Sequence, residues 1–240
     1  VSVILNSVDL EQFVPRSPLP LQPSRALVFS NGAKETTHLG AVREACRRTG
    51  LTLDVIGADA GNVASRPQDV LGHYDIVFAK ARCALEAMAV GSAVVLCDVK
   101  GAGPMVTAGE LDRLRRLNFG IRTLRENIDA DVLEKEIARY DAADASTVSA
   151  RIRETAGRGA AIDQIVTLYE QVIDEFDANG ARDLDAEARA EAAYLRDLTS
   201  YFEAEQNSIL GSRTFVWRQR MLNLPVAGPV LRSIARKFWK

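Results

Sequence analysis

Hydrophobic positions along the chain fall into short unbroken runs separated by longer stretches of helical periodicity. Residues 76–79 and 93–97 are apolar without polar alternation, the pattern of strands buried on both faces of a parallel sheet, and strands are also read at 26–30, 52–56 and, with Asp75 included, 75–79. Between them, residues 37–49 and 82–90 carry apolar positions at helical spacing, and residues 67–72 read as a shorter helix. In the 82–90 segment Ala84, Leu85, Met88 and Ala89 form one stripe, and Gly91 follows where a helix C-cap needs positive φ. This alternation predicts an α/β fold, a parallel sheet with helices on both faces. A shorter strand at 121–124 and helices at 131–140, 143–155 and 160–176 complete it. The last carries an apolar face of Val166, Leu168, Tyr169, Val172, Ile173 and Phe176.

The flanks have a different character. Residues 1–23 run from an apolar start into Pro15, Pro18, Pro20 and Pro23, which sustain neither a helix nor an interior strand, so this stretch reads as a linker. The expected organisation is a linker over 1–23, an α/β domain over 24–176 and a helical extension over 177–240. Within the extension, residues 183–206 are rich in Ala, Glu and Arg, with Ala190, Tyr194, Leu195, Leu198, Tyr201 and Phe202 in helical register. Residues 213–240 hold seven Lys and Arg, no acidic residue, and aromatic anchors at Phe215, Trp217, Phe238 and Trp239. Such a tail is a candidate for contact with a membrane surface. The competing reading packs the aromatics on the domain and leaves the arginines in water.

Composition narrows the classes. With 240 residues, 47% hydrophobic and 26% charged, the chain is expected to be a soluble globular protein with one core and an appendage. A net charge of −2 supplies no global field for nucleic acid. Cys46, Cys83 and Cys97 are odd in number and lack metal-ligand spacing, so neither a disulfide framework nor a zinc site is expected, and a cytoplasmic location fits, with the inner face of a membrane as the alternative; the absence of a carboxylate cluster argues against another metal, and no cofactor is expected. No apolar run is long enough for a membrane span and no signal peptide is visible. An apolar start at Val1 leads to the expectation that the chain is a piece of something longer.

Residues 74–98, YDIVFAKARCALEAMAVGSAVVLCD, concentrate the candidate chemistry. A helix that starts at the carboxyl end of a strand points its free N–H groups at the crevice where open α/β sheets bind ligands. Lys80 and Arg82 flank that start, which suits phosphate, and Glu86 lies further along the same helix. The stretch ALEAMAVGSAVVLCD resembles the E-A-M-A-x-G-x-P-V-V segment of GT-B glycosyltransferases, particularly family 4-like retaining enzymes. NSVDLEQFVP resembles their N-G-V-D-x-x-x-F-x-P hinge through Asn6, Val8, Asp9, Phe13 and Pro15. Both motifs stand in the family's order, and the resemblance covers residues 1–176.

The resemblance implies the C-terminal, donor-binding half of a GT-B fold, a Rossmann-like nucleotide-sugar-binding domain over 24–176, with the acceptor domain outside this chain and a nucleotide-diphosphate sugar as substrate. It implies that Glu86 takes ribose hydroxyls and that Lys34, in the loop SNGAKET, neutralises the diphosphate. Asn31 and Gly32 would let backbone approach the ligand, Lys80 and Arg82 would assist from the neighbouring turn, and Gly101 and Gly103, read as a flexible loop after a strand, would contact sugar or phosphate. Phe78 stands where the family has a sugar-contacting glutamate, and no arginine accompanies Lys34. The alternatives are a non-catalytic nucleotide-binding or interaction module and, more remotely, an epimerase of the same fold. At the level of single residues, Glu86 can instead be an i,i+4 partner of Arg82, Lys34 a surface charge, and His38 an ordinary residue at a helix start.

Overall fold

The computed structural model describes residues 3–178, 183–211 and 220. The fold is α/β and Rossmann-like. Strands β1 (Arg25–Phe29), β2 (Thr52–Ile56), β3 (Ile76–Ala79), β4 (Ala93–Asp98) and β5 (Gly101–Met105) form one sheet in the order β2-β1-β3-β4-β5. All pairs are parallel except the last, where β5 folds back on β4. Helix α1 (Leu39–Thr49) follows β1, and α2 (Ala81–Val90) follows β3 and ends at Gly91 with φ of 98°. Further along come α3 (Leu111–Arg116), α4 (Ala130–Ile137), α5 (Ala142–Thr155), α6 (Arg158–Ala178) and α7 (Leu184–Gly211).

Because successive strand residues face opposite sides, each strand feeds two cores. Leu27, Val77, Val94 and Leu96 pack with α2, α3 and α5, while Val28, Ile76, Phe78 and Val95 pack with α1 and α4. The helices therefore cover both faces, as a parallel sheet requires.

Several elements differ from the reading of the sequence. Residues 67–72 form two short 3-10 turns, at Pro67–Asp69 and Leu71–His73, and 121–124 a third at Ile121–Thr123. Gly101–Met105 is not a flexible loop but the buried strand β5. Ala102 bridges to Glu126, and a Cβ at Gly101 or Gly103 would stand 2.9 Å from the Glu126 carbonyl or 2.7 Å from the Thr123 carbonyl. The two glycines thus admit a crossing backbone segment. The apolar face of α6 is exposed, with Tyr169 and Phe176 each at least 60% accessible, and no buried residue occurs in that helix.

The proline-rich start is docked rather than a free linker. Val8 and Phe13 are buried in the α2 core, Asp9 caps the turn through the N–H of Glu11, and Arg16 reaches the base of the sheet. Contacts group Val1–Ile173 into one compact unit and Asp174–Lys240 into another. The basic tail expected over 213–240 lies outside the described residues except for Arg220, a helical, exposed position.

Asp75, just before β3, holds the docked segment. Its carboxylate accepts from the N–H groups of Ser24 and Arg25 and from the Arg16 guanidinium at 3.1 Å. Burial pushes its pKa up, but these donors outweigh burial and hold it below the usual value. Removing one partner of such a buried pair strands the other charge. Asp75→Ala is therefore expected to cost about 3 kcal/mol, measured by urea unfolding.

Candidate functional site

The sheet changes winding direction between β1 and β3, and the carboxyl ends of strands at such a switch point are where open α/β sheets hold ligands; this region is the candidate crevice. Three strand ends converge there. Asp98, the last residue of β4, is buried; its carboxylate accepts from Ser30 Oγ at 2.9 Å and from its neighbour Val99 N–H at 2.8 Å, and pairs with Lys80 Nζ at 2.5 Å. Burial raises its pKa, yet Lys80, the Val99 amide and Ser30 prevail and keep it below the ordinary carboxylate value. The result is an ionised carboxylate bonded to residues that follow β1 and β3.

The loop after β1 is tightly braced. Asn31 Oδ1 accepts from Ala58 N–H, and the Asn31 carbonyl accepts from Asp59 N–H. A Cβ on Gly32 would lie 2.8 Å from Val99 Cγ1, and one on Gly57 only 1.9 Å from the Ser30 carbonyl, so bare backbone is needed where the loops meet. Thr37 Oγ1 accepts from Lys34 N–H and closes the turn into α1. His38, read from sequence as an ordinary helix-start residue, is fully buried; its Nε2 has no partner. Burial draws its pKa below 6.5, the Asp98 charge opposes this and the Lys80 charge adds to it.

Helix α2 opens on an unusual backbone. Ala81 has φ of 50°, and its N–H donates to the Phe119 carbonyl; Asn118 and Phe119 have φ of 51° and 50°. Left-handed conformation is uncommon in non-glycine residues, above all in a bulky one, and such strain gathers at functional sites. Past this entry, Arg82 Nε donates to Glu86 Oε1 at 2.9 Å. Glu86 is buried and Arg82 is 77% exposed along its side chain. Burial pushes the Glu86 pKa up, the Arg82 charge and hydrogen bond offsetting part of it.

Every cation expected to hold phosphate therefore already has a carboxylate: Lys80 has Asp98, Arg82 has Glu86, and Lys34 has Asp59 at 3.2 Å. Lys80 joins the central network, Arg82 and Glu86 form the i,i+4 pair along α2, and Lys34 pairs with the loop after β2. Gly101 and Gly103 serve strand packing. Sequence reading missed Asp98, the side-chain role of Ser30 and the burial of His38. The available signal for Asp98 was a carboxylate ending an apolar run at the carboxyl edge of a sheet.

Among the described residues no group of three or more His, Cys, Asp or Glu side chains could hold a metal ion, and no helix is long and apolar enough to cross a membrane. Burial pushes Cys83 up to about 11, and Cys46 and Cys97 up to about 12, so the three thiols are unreactive at neutral pH.

The depressed pKa of His38 makes stability pH-dependent. The unfolded chain takes up the proton first, so the stabilisation is complete above 6.5 and is lost as pH falls towards the folded value. Urea unfolding between about pH 7 and about pH 5 should show this loss, and His38→Asn should show a shallower slope. Compared with known proteins, the chain matches no protein-family model and no curated protein.

Proposed function

We propose that this chain binds a nucleotide-diphosphate sugar as the donor-binding part of a GT-B glycosyltransferase whose acceptor domain lies outside it. The observation that carries the reading is Glu86: a buried carboxylate on the helix that starts at the crevice, held by an exposed arginine four residues earlier. A carboxylate accepts two vicinal ribose hydroxyls, and each hydrogen bond to such a charged group is worth about 2 kcal/mol. When the ribose replaces Arg82 on Glu86, the guanidinium is released to swing to the diphosphate. Lys34 exchanges its Asp59 partner just as readily, since an exposed pair is worth under about 1 kcal/mol. The N–H groups of Arg82 and Cys83, in the first turn of α2, then meet the phosphates, and the cations stabilise the departing nucleoside diphosphate.

A second reading, a non-catalytic nucleotide-binding or interaction module, draws on Phe78. That side chain is fully buried in β3 among the residues under α1 and α4, so this position cannot touch a donor sugar. The two readings share the ribose site and differ in sugar handling and transfer.

Calorimetry with UDP- and GDP-sugars tests both. The donor reading expects binding by at least one of them, weakened about tenfold or more by Glu86→Ala. Binding should also weaken as pH falls through the Glu86 pKa, which lies above 4.5, because the protonated acid no longer accepts two hydroxyls. Equal affinity for the nucleotide sugar and the bare nucleotide would favour the module. No binding by the intact fold would discard the donor reading and leave the interaction module.

A further inference from the structure

Helix α3 ends in a turn that does more than close it. The Phe119 N–H donates to the Leu114 carbonyl at 3.1 Å and the Asn118 N–H to the Arg115 carbonyl at 2.8 Å, the pair of bonds with which helices commonly terminate. Asn118, at φ of 51°, supplies the left-handed residue that such an ending needs, and asparagine tolerates it. Phe119, at φ of 50°, is not explained by the cap. The next residue is Gly120, which takes left-handed backbone freely, yet its φ is −88°. The chain therefore places the strain on a bulky residue with a glycine one position away. The surroundings hold it there, since Phe119 is fully buried and Asn118 Oδ1 accepts from the Asn6 N–H at 2.8 Å.

The strained residue aims its carbonyl. That oxygen accepts from the Ala81 N–H at 2.8 Å, and Ala81, the first residue of α2, is itself left-handed. Lys80 before it makes no side-chain cap bond, its ammonium being committed to Asp98. The start of α2 is thus set from outside by Phe119, where a helix ordinarily starts from its own capping side chain. Successive side chains on a helix are separated by about 100°, so the entry geometry of α2 determines which way every later residue faces. Glu86 stands in the next turn and is buried, so a small rotation of α2 carries its carboxylate away from the crevice.

We propose that Phe119 and Ala81 are positioning residues for Glu86: the left-handed Phe119 carbonyl fixes the start of α2, and through it the direction in which the carboxylate meets the ribose. This positioning role rests on the donor-binding reading of Glu86 and goes beyond it by two residues that touch no ligand. Two substitutions at position 81 isolate the backbone geometry. Ala81→Pro suits a helix start, and Lys80, at φ of −136° and ψ of 165°, has the extended backbone that a following proline requires. Proline, however, can neither be left-handed nor donate to Phe119. Ala81→Gly keeps both the conformation and the N–H.

Calorimetry of the full chain with the UDP- or GDP-sugar that the parent binds tests the proposal, with circular dichroism showing that each variant is folded. Ala81→Gly is expected to bind as the parent does, and Ala81→Pro about tenfold or more weaker. The deciding measurement is a double-mutant cycle with Glu86→Ala. If the entry acts through the carboxylate, adding Ala81→Pro to Glu86→Ala weakens binding no further, whereas a merely structural loss adds in full. Should Ala81→Pro fail to fold, Asn118→Val takes its place in the same cycle, because it removes the acceptor for Asn6 and disfavours the left-handed turn. Parent-like affinity in the position-81 or position-118 variant, or additive losses in the cycle, overturns the positioning role and leaves the donor reading standing. Absence of binding by the parent discards the donor reading and the positioning role together.

Discussion

The carboxylate of Asp98 is the interaction around which the crevice is arranged. It stands at the end of a central strand, nearly out of contact with water, and is stable as an anion only because Lys80 and Ser30 converge on it from the strands beside it. Desolvating such a charge without partners costs several kcal/mol, so the three strand ends are bound to one another by mutual need. Ser30 then fixes where the loop to α1 departs, and Lys80 fixes where α2 begins. Gly57, with no side chain, lets the loop after β2 close on Ser30 from the other side.

This arrangement accounts for the strained entry to α2. With Lys80 held by Asp98, the chain must turn sharply into the helix, and Ala81 takes a left-handed conformation with its N–H bonded to Phe119. Asn118 and Phe119 are left-handed in turn, and Asn118 accepts from the backbone of Asn6. Left-handed conformation disfavours each of these residues by about 1–2 kcal/mol, which the burial of Phe119 and the surrounding bonds offset. A continuous run of hydrogen bonds thus joins the docked N-terminal segment to the helix start.

The charge pattern sets the crevice apart from a simple anion trap. Its cations are neutralised in place, and the pairs differ in how readily they open. Lys80–Asp98 is buried on the acidic side and bonded at three points, so it acts as framework, whereas Lys34–Asp59 is open to solvent on both sides and Arg82 is free along most of its length. A ligand there competes for partners and does not fill a waiting positive field.

The alternation of strands and helices, the turn at Gly91, the buried runs and the i,i+4 relation of Arg82 to Glu86 were legible in the chain, because each depends on neighbours within one element. Strand β5 was not: GAGPM lacks the β-branched residues that mark strands, and it pairs because a hairpin lays it beside β4 with the 123–126 segment crossing over its glycines. Nor was the exposure of the α6 face, since an amphipathic pattern states that a face wants cover and not whether cover exists. His38 and Asp98 looked ordinary for the same reason, as burial and partnership across strands 68 residues apart arise only when the sheet assembles. Local periodicity thus determined the elements and the place of Glu86. Tertiary packing alone decided which carboxylate anchors the crevice and which cations are already paired.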